Sequence, residues 1–310
     1  MRLVSPGTIL APQQRHERHM WQGTSLAVLL ALTSTLGFGM AFVLTQFGLR
    51  WIPAWLGAAC SIPTSTLLFW CLAPFLLDIA RGDMGAGVLF ACVGLFFPAL
   101  VTLLNFESNR LMGPNIAGAL SGLAPVFAVL LALVVLRETI RLTQMLSIAA
   151  IAGGVMLMYR RQERALTSAQ GWVVFLPLAA AAIRGAVQPI IKLGLERWPS
   201  PGAAVVIGYT VSSIVLIFAA IIRNRRTAHR VDPRGALWFG AVGLCNGLAV
   251  LSMYAALNLG PVVLVSPLVA SYPLITVLLS HVLLKDEPVS KQLMAAIVII
   301  VGGIVLLLLA

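Results

Sequence analysis

Arg184 is the residue with the most chemistry to offer. It lies in the stretch AAAAIRGAVQP, near the middle of an apolar run of membrane length. An ionisable group at that depth is expensive unless it faces a cavity or finds a partner, and by default it marks a functional site. A guanidinium is planar and matches a carboxylate in bidentate fashion. Its position points to a clamp on the carboxylate of an amino acid or organic acid. Backbone carbonyls freed at a proline break, or Glu107, are the alternative partners.

Other polar residues interrupt the apolar runs. Gln188 follows Arg184 by one turn on the same helical face. Phe38, Asn105, Ser121, Asn246, Tyr254, Ser271 and Tyr272 lie in other runs. Any one of the polar side chains among these is more often a helix–helix hydrogen bond than a substrate contact. With Arg184 and Gln188 they form the candidate substrate-binding set. Glu107, in LLNFESNR, and His281, near the end of a late run, are the titratable candidates for a gate or coupling group. Arg110, three residues after Glu107, offers it a local ion pair. Pro125 and Pro273 are the candidate hinges, because a proline inside the membrane frees a carbonyl that must be satisfied nearby. The sequence holds no phosphate-binding loop, no paired-histidine metal motif and no nucleophile–base pair. Neither an enzyme nor a bound metal or cofactor is expected. The four cysteines fall inside apolar runs without C-x-x-C spacing and read as small buried hydrophobes.

The elements that position these residues follow from composition. The chain has 310 residues, 60% apolar and only 10% charged, with a mean hydropathy of +0.98. An ordinary soluble domain is about half apolar and about a quarter charged. The expected fold class is all-α, a polytopic membrane protein. Runs long enough to cross a bilayer fall at 24–46, 54–77, 86–107, 113–135, 143–159, 171–195, 203–222, 236–257, 261–284 and 291–309. The formal net charge of +11 sits at the edges of these runs. It suits contact with lipid headgroups and not nucleic acid.

The two halves of the chain resemble each other. Residues 123–145 lie over 271–293 so that Pro125 meets Pro273, Glu138 meets Asp286 and Gln144 meets Gln292. FGLRWIP at 47–53 lies over LGLERWP at 193–199. The expected organisation is a polar N-terminal tail at 1–23, a first five-helix repeat at 24–159, a linker at 160–170 and a second repeat at 171–310. Five spans is an odd number, so the second repeat enters the membrane inverted. That is a common basis for alternating access.

With these motifs the sequence resembles the drug/metabolite transporter superfamily in its ten-helix, EamA-like form. The closing pattern of each half is carried by Pro125, Leu136, Glu138, Gln144 and by Pro273, Leu284, Asp286, Gln292. The opening pattern is carried by Phe38-Gly39 with Phe42, and by Arg184-Gly185 with Lys192. Gln46 stands where that family often has a basic residue, and Arg184 where it often has an aromatic one. The resemblance implies a monomeric inner-membrane secondary transporter that exports small metabolites through a central midplane cavity. It is most similar to the branch exporting aromatic and other amino acids. Export of drugs or other metabolites and a passive channel are the alternatives. The family pattern places both termini in the cytoplasm. The basic residues crowd the connections on the side opposite the N-terminus, as in RNRRTAHR at 223–230, which by charge bias favours the reverse orientation.

Overall fold

The computed structural model describes residues 12–78, 82–162, 172–227, 229–283 and 291–309. For 12–23, 115, 158–162, 226, 291 and 293 only the backbone is described. Inside a bilayer every backbone N–H and C=O needs an internal partner, and helices supply one within a single segment. No strand occurs among the described residues, and twelve helices follow one another. They are α1 (Pro12–Leu49), α2 (Ala54–Leu76), α3 (Met84–Phe96), α4 (Ala99–Ser121), α5 (Ala124–Val135) and α6 (Leu142–Gln162), then α7 (Phe175–Arg197), α8 (Pro201–Thr227), α9 (Pro233–Leu259), α10 (Val262–Val269), α11 (Tyr272–Leu283) and α12 (Lys291–Leu309). Eight segments are long and apolar enough to cross a membrane, and two shorter apolar helices lie at Leu142–Leu157 and Met294–Leu309. Together they match the ten expected runs. Their outward faces are apolar: Leu29, Phe75, Val134 and Leu309 are 61%, 86%, 76% and 81% exposed. That surface suits lipid.

Three features depart from straight spans. The first span is continuous with a helix that begins at Pro12, so residues 12–23 of the expected tail are helical. α4 contains the turn between the third and fourth spans, at Gly113, whose φ of 79° favours glycine. The fourth and ninth spans are each broken in the middle. The first break separates α4 from α5 at Gly122–Leu123, and the second separates α10 from α11 at Ala270–Ser271. In the internal alignment these positions are equivalent. Pro125 and Pro273 follow at the same distance, each in the first turn of the new helix. Asp286 and residues 163–170 of the expected linker lie outside the described residues.

The halves interdigitate. α1 packs on α9, α10 and α11, while α7 packs on α3, α4 and α5. Glycines allow the closest approaches. A Cβ on Gly39 would stand 2.5 Å from Ile275 Cβ and 3.1 Å from the Tyr272 carbonyl. A Cβ on Gly185 would stand 2.6 Å from Phe127 Cβ and would strike the Ala124 carbonyl. Gly39 and Gly185 are equivalent, as are Ile275 and Phe127, and Tyr272 and Ala124. One contact is therefore made twice, each time between the opening helix of one half and the broken span of the other. At the membrane edge opposite the N-terminus, aromatic rings carry the basic side chains. Arg234 lies 4.8 Å from the Trp51 ring centre and Arg223 lies 5.2 Å from that of Trp55.

Filling either close approach should force the halves apart. Gly39→Val and Gly185→Val should each cost about 1–3 kcal/mol, read as a lower Tm in detergent. Gly153→Val is the control, because nothing lies within 4 Å of a Cβ there, and its Tm should not move.

Candidate functional site

The repeat geometry brings α1, α4, α7, α9 and α11 together near the middle of the membrane. Arg184, on α7, is 5% exposed. Its guanidinium carbon lies 4.6 Å from the Phe38 ring centre and 5.6 Å from that of Tyr272. Two rings from α1 and α11 thus hold the cation. A desolvated cation–π contact contributes up to about 2 kcal/mol. That is less than a lost ion pair, and the hydrogen bonds are not replaced. Nε and Nη1 of Arg184 are buried without a hydrogen-bond partner. Glu107 does not supply one: it is paired with Arg110, whose Nε donates to Oε2 at 3.0 Å. The Gln188 Oε1, Tyr209 hydroxyl and Tyr272 hydroxyl are also buried and unpartnered.

A small polar cavity is lined in part by Arg184. Asn105, Asn246, Thr45, Thr102 and Asn109 line it, and Ala41, Phe42 and Phe106 complete the wall. Several of these groups are fixed in place. Ser121 donates to Asn105 Oδ1 at 2.8 Å. Asn109 Nδ2 donates to the Phe42 carbonyl at 2.9 Å. The Phe42 ring stacks on Tyr272, with centroids 5.3 Å apart.

Equivalent residues near the ends of α1 and α7 make related contacts. Gln46, toward the end of α1, donates to the Asn109 carbonyl at 2.8 Å and also to the Asn109 side chain. Lys192, its equivalent on α7, donates to the carbonyls of Leu257 and Gly260 at 3.2 and 2.6 Å. These are the free carbonyls at the end of α9, where a cation is favoured. Glu138 approaches the same turn from the first half. Its carboxylate accepts from the N–H groups of Val262 and Val263 at 3.0 and 3.1 Å. The start of α10 is thus held by an anion and the end of α9 by a cation.

The structure brings Phe38, Asn105, Ser121, Arg184, Gln188, Asn246 and Tyr272 around one centre. Three expected candidates lie apart from it. Tyr254 is buried against Phe97, with ring centres 6.5 Å apart, and does not line the cavity. Ser271 donates to the Leu268 carbonyl at 2.6 Å and so serves the helix break. His281 is exposed in the last turn of α11. Thr45, Thr102 and Asn109, which line the cavity, and Tyr209, which does not line it but whose buried hydroxyl has no partner, are additions that the sequence reading missed. Helical periodicity marks the first three, since Thr102 and Asn109 flank Asn105 by three and four residues, and Thr45 follows Phe38 by seven. Tyr209 carries no such signal.

Residues 25–160 and 171–309 each match the model of the EamA-like transporter family. The chain belongs to that family. A solved structure titled "Crystal structure of protein" is similar over 92% of this chain and 97% of its own, with a TM-score of 0.74 and 19% identity. That likeness concerns the fold. No curated protein matches the chain. As an EamA-like protein it is a multi-pass member of a membrane transporter family, whose members are transporters and not enzymes. Its two matched regions are the two halves that interlock in the fold.

Glu138→Ala should leave the first amides of α10 without a partner, a loss of about 0.5–2 kcal/mol as for other N-terminal caps. Hydrogen exchange at Val262 and Val263 should accelerate accordingly. Glu138→Gln keeps an acceptor oxygen and should retain most of the protection.

Proposed function

We propose that this protein is a secondary transporter of the inner membrane that exports small metabolites bearing a carboxylate, amino acids and organic acids alike. The observation that carries the reading is the Arg184 guanidinium. It faces a polar cavity with Nε and Nη1 unpartnered. A buried cation in that state is stabilised by an anion that brings its own hydrogen bonds. The two halves rock around this centre. The glycine contacts at Gly39 and Gly185 supply close-packed pivots, and the breaks before Pro125 and Pro273 supply the flexible points. Both termini face the cytoplasm in this reading, and the protein works as a monomer. A C-terminal green fluorescent protein fusion should then fluoresce, while a C-terminal alkaline phosphatase fusion should be inactive. The opposite pair of results places the termini outside.

The transport test uses proteoliposomes and a panel of labelled amino and organic acids. Wild type should show saturable uptake that trans-substrate accelerates, which a passive channel does not give. Arg184→Ala should lower kcat/KM by about a hundredfold or more, the loss of a charge-assisted bidentate contact of about 3 kcal/mol. Arg184→Lys should recover only part of it, because an ammonium lacks the planar fork. Unchanged uptake in a folded Arg184→Ala protein would make the arginine structural.

A further inference from the structure

We infer that the cavity selects a monoanion whose second group is neutral and hydrogen-bonding, such as a 2-hydroxy acid, over a zwitterionic amino acid. The inference rests on the carboxylate reading above and narrows it. Its basis is the charge of the walls. Arg184 is the cation at the cavity. Among the described residues no aspartate or glutamate lines it. The nearest acid along α4, Glu107, is occupied by Arg110. Glu138 is engaged with the α10 amides at an edge of the membrane. A bound monoanion therefore leaves the centre neutral. A bound zwitterion leaves it with a net positive charge, its ammonium held close to the guanidinium in a medium of low dielectric.

The polar wall points the same way. Thr102 offers a hydroxyl, and Asn105 and Asn246 offer amides, in the cavity wall, while Thr45, whose Oγ1 donates to the Ala41 carbonyl, offers lone pairs. Hydroxyls and amides both donate and accept. They suit a substrate hydroxyl, which does the same. An ammonium only donates and carries a charge that these neutral groups do not balance. Buried like charges raise the cost further, because Arg184 already lacks partners on Nε and Nη1.

The test uses matched pairs that share a side chain and differ at one group: lactate and alanine, glycerate and serine, phenyllactate and phenylalanine. Each is offered to proteoliposomes at neutral pH, and kcat/KM is compared within each pair. The hydroxy acid should lead by about tenfold or more in every pair that is transported. Equal rates, or a lead by the amino acid, overturn this inference and leave the carboxylate reading standing. Transport of no member of any pair overturns both. Asn246→Asp gives a second readout. It places a carboxylate in the wall and should shift the ratio toward the amino acid by about tenfold, provided the variant keeps the wild-type Tm. A folded Asn246→Asp protein with an unchanged ratio also overturns the inference.

Discussion

A full positive charge sits at the centre of a chain that is otherwise built to exclude charge, and lipid offers nothing to neutralise it. Much of the central architecture can be traced to how Arg184 is accommodated. Phe38 comes from α1 and Tyr272 from α11, so the stack that shelters the guanidinium joins the two halves. Those rings can meet only if α1 and α11 lie close together, and Gly39 permits that. Phe42 stacks on Tyr272 and is itself tied by its carbonyl to Asn109. A chain of packed rings and amides therefore runs from the charge to the wall of the cavity. None of these contacts gives Nε or Nη1 of Arg184 a hydrogen-bond partner.

The backbone repeats itself and the chemistry does not. Phe38 and Arg184 occupy equivalent places in their halves, yet one is a ring and the other a cation lying over it. Phe42 and Gln188 are equivalent as well, and again one is apolar and one polar. Gln46 and Lys192 cap carbonyls at opposite ends of the molecule, one as a neutral amide and the other as an ammonium beside Glu138. Symmetry gives two ends with the same backbone arrangement. The substitutions give them different electrostatics. One end carries neutral hydrogen bonds and the other charged caps.

Much of this was legible in the sequence because lipid imposes simple rules. Length and apolarity locate the spans, and internal similarity locates the halves. Pro125 and Pro273 mark breaks that do occur, because a proline leaves a carbonyl without its helical donor. Arg184 stood out for its cost. The cap formed by Glu138 was not legible, since its partners Val262 and Val263 are 124 and 125 residues away and are backbone groups that any sequence carries. Tyr209 was missed because a tyrosine in an apolar run looks the same whether its hydroxyl faces lipid, protein or a cavity. Glu107 and His281 drew attention as titratable groups. One has a local partner and the other an exposed place at a helix end, and spacing alone shows only the first.

The crossed packing of the halves has a consequence for how the protein is made. Each span is stable as a separate helix once inserted, and assembly follows. Gly39 on α1 meets Ile275 on α11, and 236 residues separate them (275 − 39). At synthesis rates of about 5–20 residues per second, that gap lasts roughly 10–50 s. For most of this time the small-residue face of α1 has no native neighbour from the second half, the first to arrive being α9, where Ala249 meets Gly37. The first five helices are inserted before their main partners exist. The nascent first half is thus an open clasp, and it is completed only when the final quarter of the chain arrives.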